Sequence, residues 1–199
     1  GAPLSVLIDS GKVKNITEAV DEIGTADYLN SGAVELLKGL SGTDDLYDLP
    51  LGLNVEGFWY NKALFEQAGC EVPTTWDELK AACEALKAYD DSIYPWGIDM
   101  TTDEGQAAFA YYTWNNGGGF VDDEGNWTLN SEQNVEAIQY AIDLVNSGYT
   151  NTDPANDTRY DLQDMFGAGK VAMLIAPNSL PTYIATGGNE VNYGVASIP

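Results

Sequence analysis

The sequence has 199 residues, of which 44% are hydrophobic and 11% aromatic, enough for one sizeable core or one core with an attached fragment. Eight Lys and Arg stand against 31 Asp and Glu, a formal net charge of −23, so nucleic acid would be repelled and we expect no nucleic-acid partner. No apolar run reaches the roughly 18 residues that span a bilayer, and the start at Gly1-Ala2-Pro3-Leu4 suggests a cut inside a longer protein.

Residues 1 to 48 carry two short helical patterns, "NITEAVDEIG" and "SGAVELLKGL", and no strong strand. From Leu49 the stretch "LPLGLNVEGFWY" is extended and apolar. A strand covered on both faces has a continuous apolar run, so Phe58, Trp59 and Tyr60 are predicted to lie in a central strand. The stretch "NKALFEQAG" then predicts a helix that ends at Gly69, where a left-handed cap is needed.

The stretch "PTTWDELKAACEALKA" predicts a second helix, with Thr75 as its N-cap and Glu78 completing a capping box. One face of this helix is predicted to be buried: Trp76, Leu79, Cys83 and Leu86. A strand in "YPWGIDM", a helix in "EGQAAFAYYTWNNGGGF" that ends at three glycines, and a hairpin in "VDDEGNWTL" follow. A disulfide between Cys70 and Cys83 is left open by the sequence.

The clearest helical pattern is "NSEQNVEAIQYAIDLVNSG". Its predicted buried face has four members: Val135, Ile138, Ile142 and Val145. After it the sequence predicts a helix in "YDLQDMFGAG", an apolar strand in "VAMLIA", a short helix after Pro177 and a last strand in "YGVASIP". Alternating strands and helices indicate the α/β fold class.

Catalytic and metal motifs are scarce. The chain has no histidine, which removes the commonest general base and the usual catalytic zinc ligands, so we expect no metal and no cofactor. Gly167 to Ala172 fits a loose dinucleotide fingerprint but ends a helix instead of opening one. Asp122, Glu124 and Asn126 have calcium-loop spacing, but Trp127 stands where that loop needs glycine. A glycosidase pair among the 31 carboxylates is not excluded.

Five stretches, in order, match one family: "LPLGLNVEGFWYNKALFEQAG", "PTTWDELKAA", "NNGGGFVDDEG", "FGAGKVAMLI" and "NYGVASIP". The chain resembles the family 1 extracellular solute-binding proteins of ABC importers, the group that includes maltose-binding protein. The resemblance implies a periplasmic-binding-protein-like type II lobe, with a mixed sheet flanked by helices. Residues 1–55 would be a remnant of the inter-lobe crossing or hinge region. Residues 56–199 would be an incomplete C-terminal α/β lobe, with the N-terminal lobe and further C-terminal helices outside this sequence.

The resemblance also implies ligand contacts, position by position. Glu56, in "NVEG" at the hinge, stands where relatives place a cleft carboxylate that binds sugar hydroxyls. Asn54, in the same stretch, is also predicted to contact the ligand. Glu104 and Gln106, with Phe109 behind them, stand where relatives contact the sugar by hydrogen bonds and ring stacking. After "MLIAP" relatives usually have a stacking aromatic residue, whereas this chain has Asn178-Ser179. That departure favours a smaller or differently oriented ligand.

The function implied is a non-enzymatic receptor that captures a mono- or oligosaccharide between two lobes and delivers it to the permease subunits of an ABC importer. Its place would be extracellular or periplasmic, with the parent chain a membrane-anchored lipoprotein. Two alternatives from other classes are a glycan-active enzyme lobe and a scaffold or adhesin that no longer binds ligand. An isolated lobe would expose its cleft face, so lobe-lobe self-association is also expected.

Overall fold

A computed structural model describes residues 2–24 and 26–199 of the chain. Gly1, on which the expectation about the start of the sequence partly depends, lies outside the described residues. The chain divides into two compact units, residues 1–54 and 55–199.

The first unit is helical in its described part. Its elements are α1 (Ala2–Asp9), α2 (Thr17–Glu22), a 3₁₀ turn (Ala26–Tyr28) and α3 (Ser31–Ser41). The sequence predicts α2 and α3 but not α1. The Asn30 side chain accepts a hydrogen bond from the Ala33 N–H and so caps the start of α3. The Leu46 N–H donates to Thr17 Oγ1 at 2.8 Å, which fastens the segment after α3 to the start of α2.

The second unit contains a four-stranded sheet. Its elements are β1 (Glu56–Asn61), α4 (Lys62–Ala68), α5 (Trp76–Tyr89), β2 (Tyr94–Gly97), α6 (Gly105–Asn115), α7 (Glu132–Asn146), α8 (Arg159–Gly167), β3 (Val171–Pro177), α9 (Leu180–Thr186) and β4 (Tyr193–Ala196). The strand order is β2-β3-β1-β4. β1 runs antiparallel to both of its neighbours, whereas β2 and β3 are parallel. The predicted α/β class with a mixed sheet is confirmed.

Helices cover both faces of this sheet. Successive strand residues point to opposite faces, and Phe58 packs in one apolar cluster, whereas Trp59 packs in another. The first cluster includes residues of α4 to α7, and the second includes residues of α8 and α9. β3 is buried along almost its whole length. The prediction of a central strand over Phe58 to Tyr60 is therefore confirmed, with Tyr60 only partly buried.

The helix ends follow the predicted signals with one difference. Gly69 has φ +69° and ends α4, as its position predicts. Thr75 caps α5 by accepting from the Glu78 N–H at 3.2 Å. The Glu78 carboxylate instead binds the N–H and the hydroxyl of Thr74, both at 2.8 Å. The predicted capping box is therefore half formed, since Glu78 reaches one residue beyond the N-cap.

The predicted buried face of α7 is wrong. Val135 and Ile142 are exposed, and Val145 is also exposed. The helix instead buries the neighbouring row of residues: Asn134, Ala137, Ala141 and Leu144. The Asn134 amide accepts from the Gly119 N–H and donates to the carbonyls of Gly119 and Thr128. This buried polar anchor, together with two small alanines, turns the larger apolar side chains outward.

Gly118 is the glycine of the triple that this anchor requires. A Cβ at Gly118 would collide with Asn134 Oδ1. Only glycine therefore lets the end of α6 approach the buried amide of α7 so closely.

Four remaining sequence features have structural outcomes. Val121 and Trp127 form a bridge of the predicted hairpin. Gly169, with φ +72°, follows the end of α8 and precedes β3, so the glycine-rich stretch ends a helix. Cys70 and Cys83 are free, and burial raises the pKa of the Cys83 thiol. Within residues 2–24 and 26–199, no helix has both the length and the apolar character to cross a membrane.

Candidate functional site

A pocket opens at the edge of the sheet where β1 begins and β2 and β3 end. Glu56, the first residue of β1, pairs with Pro177 at the end of β3. Gly97, the last residue of β2, pairs with Leu174. Ligands in open α/β sheets commonly bind beyond the carboxyl ends of the strands. The loop that leaves β2 supplies two of the polar side chains of the pocket, Asp99 and Glu104.

The pocket contains about 520 Å³ of empty space, including its open mouth. Its lining has two kinds of side chain. The polar ones are Glu56, Asp99, Glu104, Tyr111 and Arg159. The apolar and aromatic ones include Trp96, Ile98, Tyr112, Leu162, Leu174 and Ile175. A mostly apolar cavity with a few converging polar groups is typical of small-molecule sites.

An ion pair joins two sides of the pocket. Arg159 Nε donates to Glu104 Oε2 at 2.7 Å. Glu104 is the residue just before α6, and its side chain turns to Arg159 instead of capping that helix. Arg159 is the first residue of α8, which Thr158 and Asp161 cap reciprocally. The ion pair therefore connects the starts of two helices that are far apart in sequence.

A buried asparagine holds the loop before α8 in place. Asn151 is 1% exposed, and its Oδ1 accepts from the Ile98 N–H at 2.9 Å. Its amide also donates to Asp157 Oδ2 at 2.9 Å. These two hydrogen bonds connect the end of β2 to the segment that precedes Arg159. Breaking them would leave a buried amide unpaired, which is costly in free energy.

The floor of the pocket is aromatic and rigid. Trp96 Nε1 donates to the Tyr112 hydroxyl at 2.7 Å, and both side chains are buried. The Trp96 ring stacks on Phe58 with centroids 5.8 Å apart. This packed floor fixes the position of the polar groups above it.

The charges of the pocket act on one another. Burial raises the pKa of the Glu56 carboxyl above its ordinary 4.5, Arg159 opposes the rise and Glu104 adds to it. Burial, reinforced by Glu56 and Glu104, raises the pKa of Tyr111 to about 12. The hydrogen bond to Glu104 raises the pKa of Arg159. At neutral pH Arg159 is therefore a fixed cation and Tyr111 a neutral hydroxyl.

Two carboxyl groups of the pocket retain unused acceptor capacity. Asp99 Oδ1 accepts from the Thr101 N–H at 2.8 Å, but Oδ2 is buried and has no hydrogen-bond partner in the part of the chain that the structure describes. No hydrogen bond from the described residues contributes to the pKa shift of Glu56. A ligand with several donor groups, such as hydroxyls, would satisfy these oxygens. Across residues 2–24 and 26–199 there is no cluster of three metal-binding side chains.

The structure brings some of the sequence-predicted site residues together. Glu56 and Glu104 both line the pocket. Gln106 is exposed on the first turn of α6, and Phe109 packs against Phe120 with centroids 5.3 Å apart; neither belongs to the pocket lining. Asn178 and Ser179 are exposed beyond the end of β3, and Asn54 is exposed at the end of the first unit. The ligand contacts assigned to these seven residues stay predictions.

Sequence reasoning missed Asp99, Tyr111 and Arg159. Arg159 had a usable signal, because it is the only arginine of the chain and the only basic residue between Lys87 and Lys170. Asp99 follows a predicted strand, a position that favours ligand contacts in an α/β sheet. Tyr111 had no signal, since it is one of 12 tyrosines.

The second unit has the α/β fold of a periplasmic-binding-protein-like type II lobe, with a candidate ligand pocket at the ends of its strands. The chain belongs to the bacterial extracellular solute-binding protein family, whose model matches residues 4–199. The family resemblance and the fold class predicted from the sequence are thus confirmed.

Three similar proteins illustrate the relationship. A putative binding protein of Brucella abortus (strain 2308) is 32% identical over 77% of this chain and 38% of its own length. A putative ABC transporter periplasmic-binding protein of Escherichia coli (strain K12), YcjN, is 26% identical over 91% of this chain and 41% of its own length. A crystal structure of a sugar transporter from Arthrobacter chlorophenolicus A6 with bound laminaribiose superposes with a TM-score of 0.81. That protein is 25% identical, with 96% of this chain and 48% of the other covered. The chain therefore spans half or less of the length of these relatives.

Proposed function

We propose that this chain is part of the substrate-binding component of an ABC importer, a receptor without catalytic activity that captures a carbohydrate. The observation that carries the proposal is the pocket at the strand ends. There the unused acceptors of Glu56 and Asp99 lie with the Glu104–Arg159 ion pair over an aromatic floor. Family membership and the laminaribiose-bound relative support the same class of ligand.

Sugar hydroxyls suit this combination of groups. A hydroxyl can donate to a carboxylate and accept from a guanidinium at the same time. Glu56 and Asp99 would accept from the ligand, and the Arg159 guanidinium, which uses Nε for Glu104, would donate from its terminal nitrogens. The Tyr111 hydroxyl, neutral at physiological pH, would donate or accept according to the ligand.

The mechanism proposed is capture by closure of two lobes. Residues 56–199 would be most of the C-terminal lobe and residues 1–55 part of the crossing region between lobes. A ligand bound by both lobes stabilises the closed state by its greater affinity for that state. The closed receptor would then meet the permease subunits at the membrane. In a bacterium with one membrane, a lipid anchor would hold the receptor there.

The remaining predicted contacts lie on elements that also supply the pocket lining. Gln106 and Phe109 are on α6, the helix that also carries Tyr111. Asn178 and Ser179 follow β3, whose residues Leu174 and Ile175 line the pocket. Their contacts with a ligand remain part of the proposal, and the absence of an aromatic side chain after β3 favours a smaller or differently oriented ligand.

A sugar panel on the intact gene product tests the proposal. Thermal shift and calorimetry with mono- and oligosaccharides should find a ligand, which at a hundred times its Kd adds about 2.7 kcal/mol to the free energy of unfolding. The change Glu56→Gln should weaken that ligand about 10-fold or more, because a charged acceptor is lost. The control Asp123→Asn removes an exposed hairpin carboxylate and should leave the affinity unchanged.

Two results would contradict this function. Failure of every sugar to shift the melting temperature would exclude a carbohydrate receptor for the sugars tested. Hydrolysis of a chromogenic glycoside, lost in Glu56→Gln or Glu104→Gln, would instead favour the glycan-active enzyme.

A further inference from the structure

The pocket has an excess of negative charge. Its lining contains three carboxyl groups, Glu56, Asp99 and Glu104, and among the described residues one cation, Arg159. With all four groups ionised the sum is 1 − 3 = −2. The positive charge of Arg159 is already paired, since its Nε binds Glu104 at 2.7 Å and its guanidinium lies 4.3 Å from the Tyr160 ring centroid. The charges of Glu56 and Asp99 are therefore left without a cation of their own in the pocket.

The unused hydrogen-bonding capacity of the two carboxylates, Glu56 and Asp99, is of one kind. An ionised carboxylate has acceptors and no donor. Among the described residues, Asp99 Oδ2 is buried without a hydrogen-bond partner, and no hydrogen bond contributes to the pKa shift of Glu56. A ligand that fills this space must bring donors. A ligand carboxylate or phosphate brings more acceptors and more negative charge, so it would leave these oxygens unpaired.

We propose that the pocket selects its ligand by charge, taking an uncharged carbohydrate and excluding sugar acids and sugar phosphates. The selection rests on the carbohydrate function proposed above and adds a ligand class to it. The carboxylates of Glu56 and Asp99 repel a ligand anion and accept hydrogen bonds from ligand hydroxyls. Glu104 pairs with Arg159 and so neutralises the cation that would otherwise bind the anion.

The electrostatic state of Glu56 is consistent with this selection. Three titratable groups of the pocket act on it: Arg159 from α8, Glu104 from the turn before α6 and Tyr111 from α6. Burial and Glu104 raise the pKa of Glu56, which means that its ionised form is already destabilised. A ligand anion nearby would destabilise that form further. Selection against anions should therefore weaken as the pH falls through the raised pKa of Glu56 and this carboxyl becomes protonated.

One rearrangement of the pocket would allow an anionic ligand to bind. Arg159 could leave Glu104 and pair with a ligand carboxylate. Glu104 would then lose its partner while facing a new anion, because its carboxylate also lies in the pocket. The exchange gains no ion pair and adds a repulsion, so we expect the Glu104–Arg159 pair to persist.

The test compares sugars that differ in one group at one carbon. For the neutral sugars that bind the intact gene product, calorimetry is repeated with the corresponding uronic acid and the uronamide. The uronamide has the shape of the acid without its charge. We expect the uronic acid to bind about 30-fold more weakly than the uronamide at pH 7.5 and low salt. The difference in affinity between the acid and the amide should become smaller as the pH is lowered and Glu56 becomes protonated.

Variants assign the effect to the two carboxylates. In the double variant Glu56→Gln, Asp99→Asn the ratio of acid to amide affinity should fall to within about 3-fold, although both ligands bind less tightly. Asp123→Asn on the hairpin removes one charge from the surface and should leave the ratio at its original value. The ratio distinguishes charge selection from damage to the pocket, because damage weakens both ligands together.

The outcomes separate the two proposals. Uronic acid binding as tightly as its amide in the native protein overturns charge selection while the carbohydrate function stands. Binding of a sugar acid or sugar phosphate alone also overturns it. If no carbohydrate of any charge binds, the proposed function fails, and charge selection fails with it.

Discussion

Two acidic regions of the second unit show how differently the same residue types are used. In the hairpin of residues 121–127, Asp122 Oδ1 accepts from the N–H groups of Glu124 and Asn126 at 3.1 and 2.8 Å. Hydrogen bonds from the Asn126 side chain and backbone lower the pKa of Asp122. In the pocket, burial raises the pKa of Glu56. The two carboxyl groups are thus shifted in opposite directions.

The difference shows where a carboxylate becomes available to a ligand. Asp122 is saturated by its own turn, so its hydrogen bonds stabilise local structure. Glu56 begins a central strand, where the backbone N–H groups take part in the sheet, and its carboxylate receives no hydrogen bond from the described residues. Acidic composition alone does not distinguish a carboxylate that stabilises a turn from one that is available to a ligand. The number of hydrogen-bond donors near the carboxylate does.

The largest expected effect is on the free energy of unfolding when the tryptophan of either region is replaced. Trp96 is 3% exposed beneath the pocket, whereas Trp127 is 74% exposed on the hairpin. Trp96→Ala should lower the free energy of unfolding by about 3–5 kcal/mol, because it opens a cavity and leaves the Tyr112 hydroxyl without its donor. Trp127→Ala should change it by about 0.5 kcal/mol or less.

Urea denaturation followed by circular dichroism measures both tryptophan variants. A similar loss of stability in the two would show that the hairpin contributes to the core as much as the pocket floor does. The milder variant Trp96→Phe keeps the stack on Phe58 but removes the indole N–H. It therefore isolates the hydrogen bond to Tyr112 if Trp96→Ala fails to fold.

The order and type of most elements were predictable from the sequence. The apolar run at Phe58 to Tyr60, the cap at Thr75 and the left-handed Gly69 are local signals, and each has the expected structural role. The buried face of α7 was not predictable, because apolar residues occupy two adjacent rows of that helix. The choice depends on the contact between Gly118 and the Asn134 amide, which only the folded chain reveals.

The pocket was predictable only in part. Glu56 and Glu104 follow from the family resemblance, and both line it. Arg159 reaches Glu104 across 55 positions of sequence, and the buried Asn151 sets the path of the loop before it. These long-range contacts depend on how β2 packs against the segment before α8, so they could not be predicted from residue spacing in the sequence.

A smaller effect is expected in the hairpin turn. Asp122→Ala removes the acceptor for two backbone N–H groups and should lower the Tm by about 2–4 °C. Its neighbour Asp123 is exposed and has no such role, so Asp123→Ala should leave the Tm within about 1 °C. Differential scanning calorimetry at pH 7 measures both. Equal shifts would mean that lost charge, and not the turn, determines the result.

The smallest effect concerns the charge of Glu56. Its folded-state pKa is raised above 4.5, chiefly by burial, so the ionised form lowers stability. This penalty is absent below the ordinary pKa, where the group is protonated in both states, and it grows as the pH rises through the folded pKa. Glu56→Gln should therefore raise the Tm by about 1–3 °C at pH 7. The gain should disappear near pH 4.

Glu78→Gln provides a control of opposite sign. Hydrogen bonds from Thr74 lower the pKa of Glu78, so its ionised form stabilises the fold above the ordinary pKa, and that stabilisation is lost as the pH falls through the folded pKa. Replacement by Gln should therefore lower the Tm at pH 7 and change it less at pH 3. A gain for Glu56→Gln that persists unchanged to pH 3 would indicate improved packing, whereas a loss at pH 7 would mean that attraction to Arg159 outweighs burial. Only a gain confined to high pH fits a carboxylate whose ionised form is destabilised by burial.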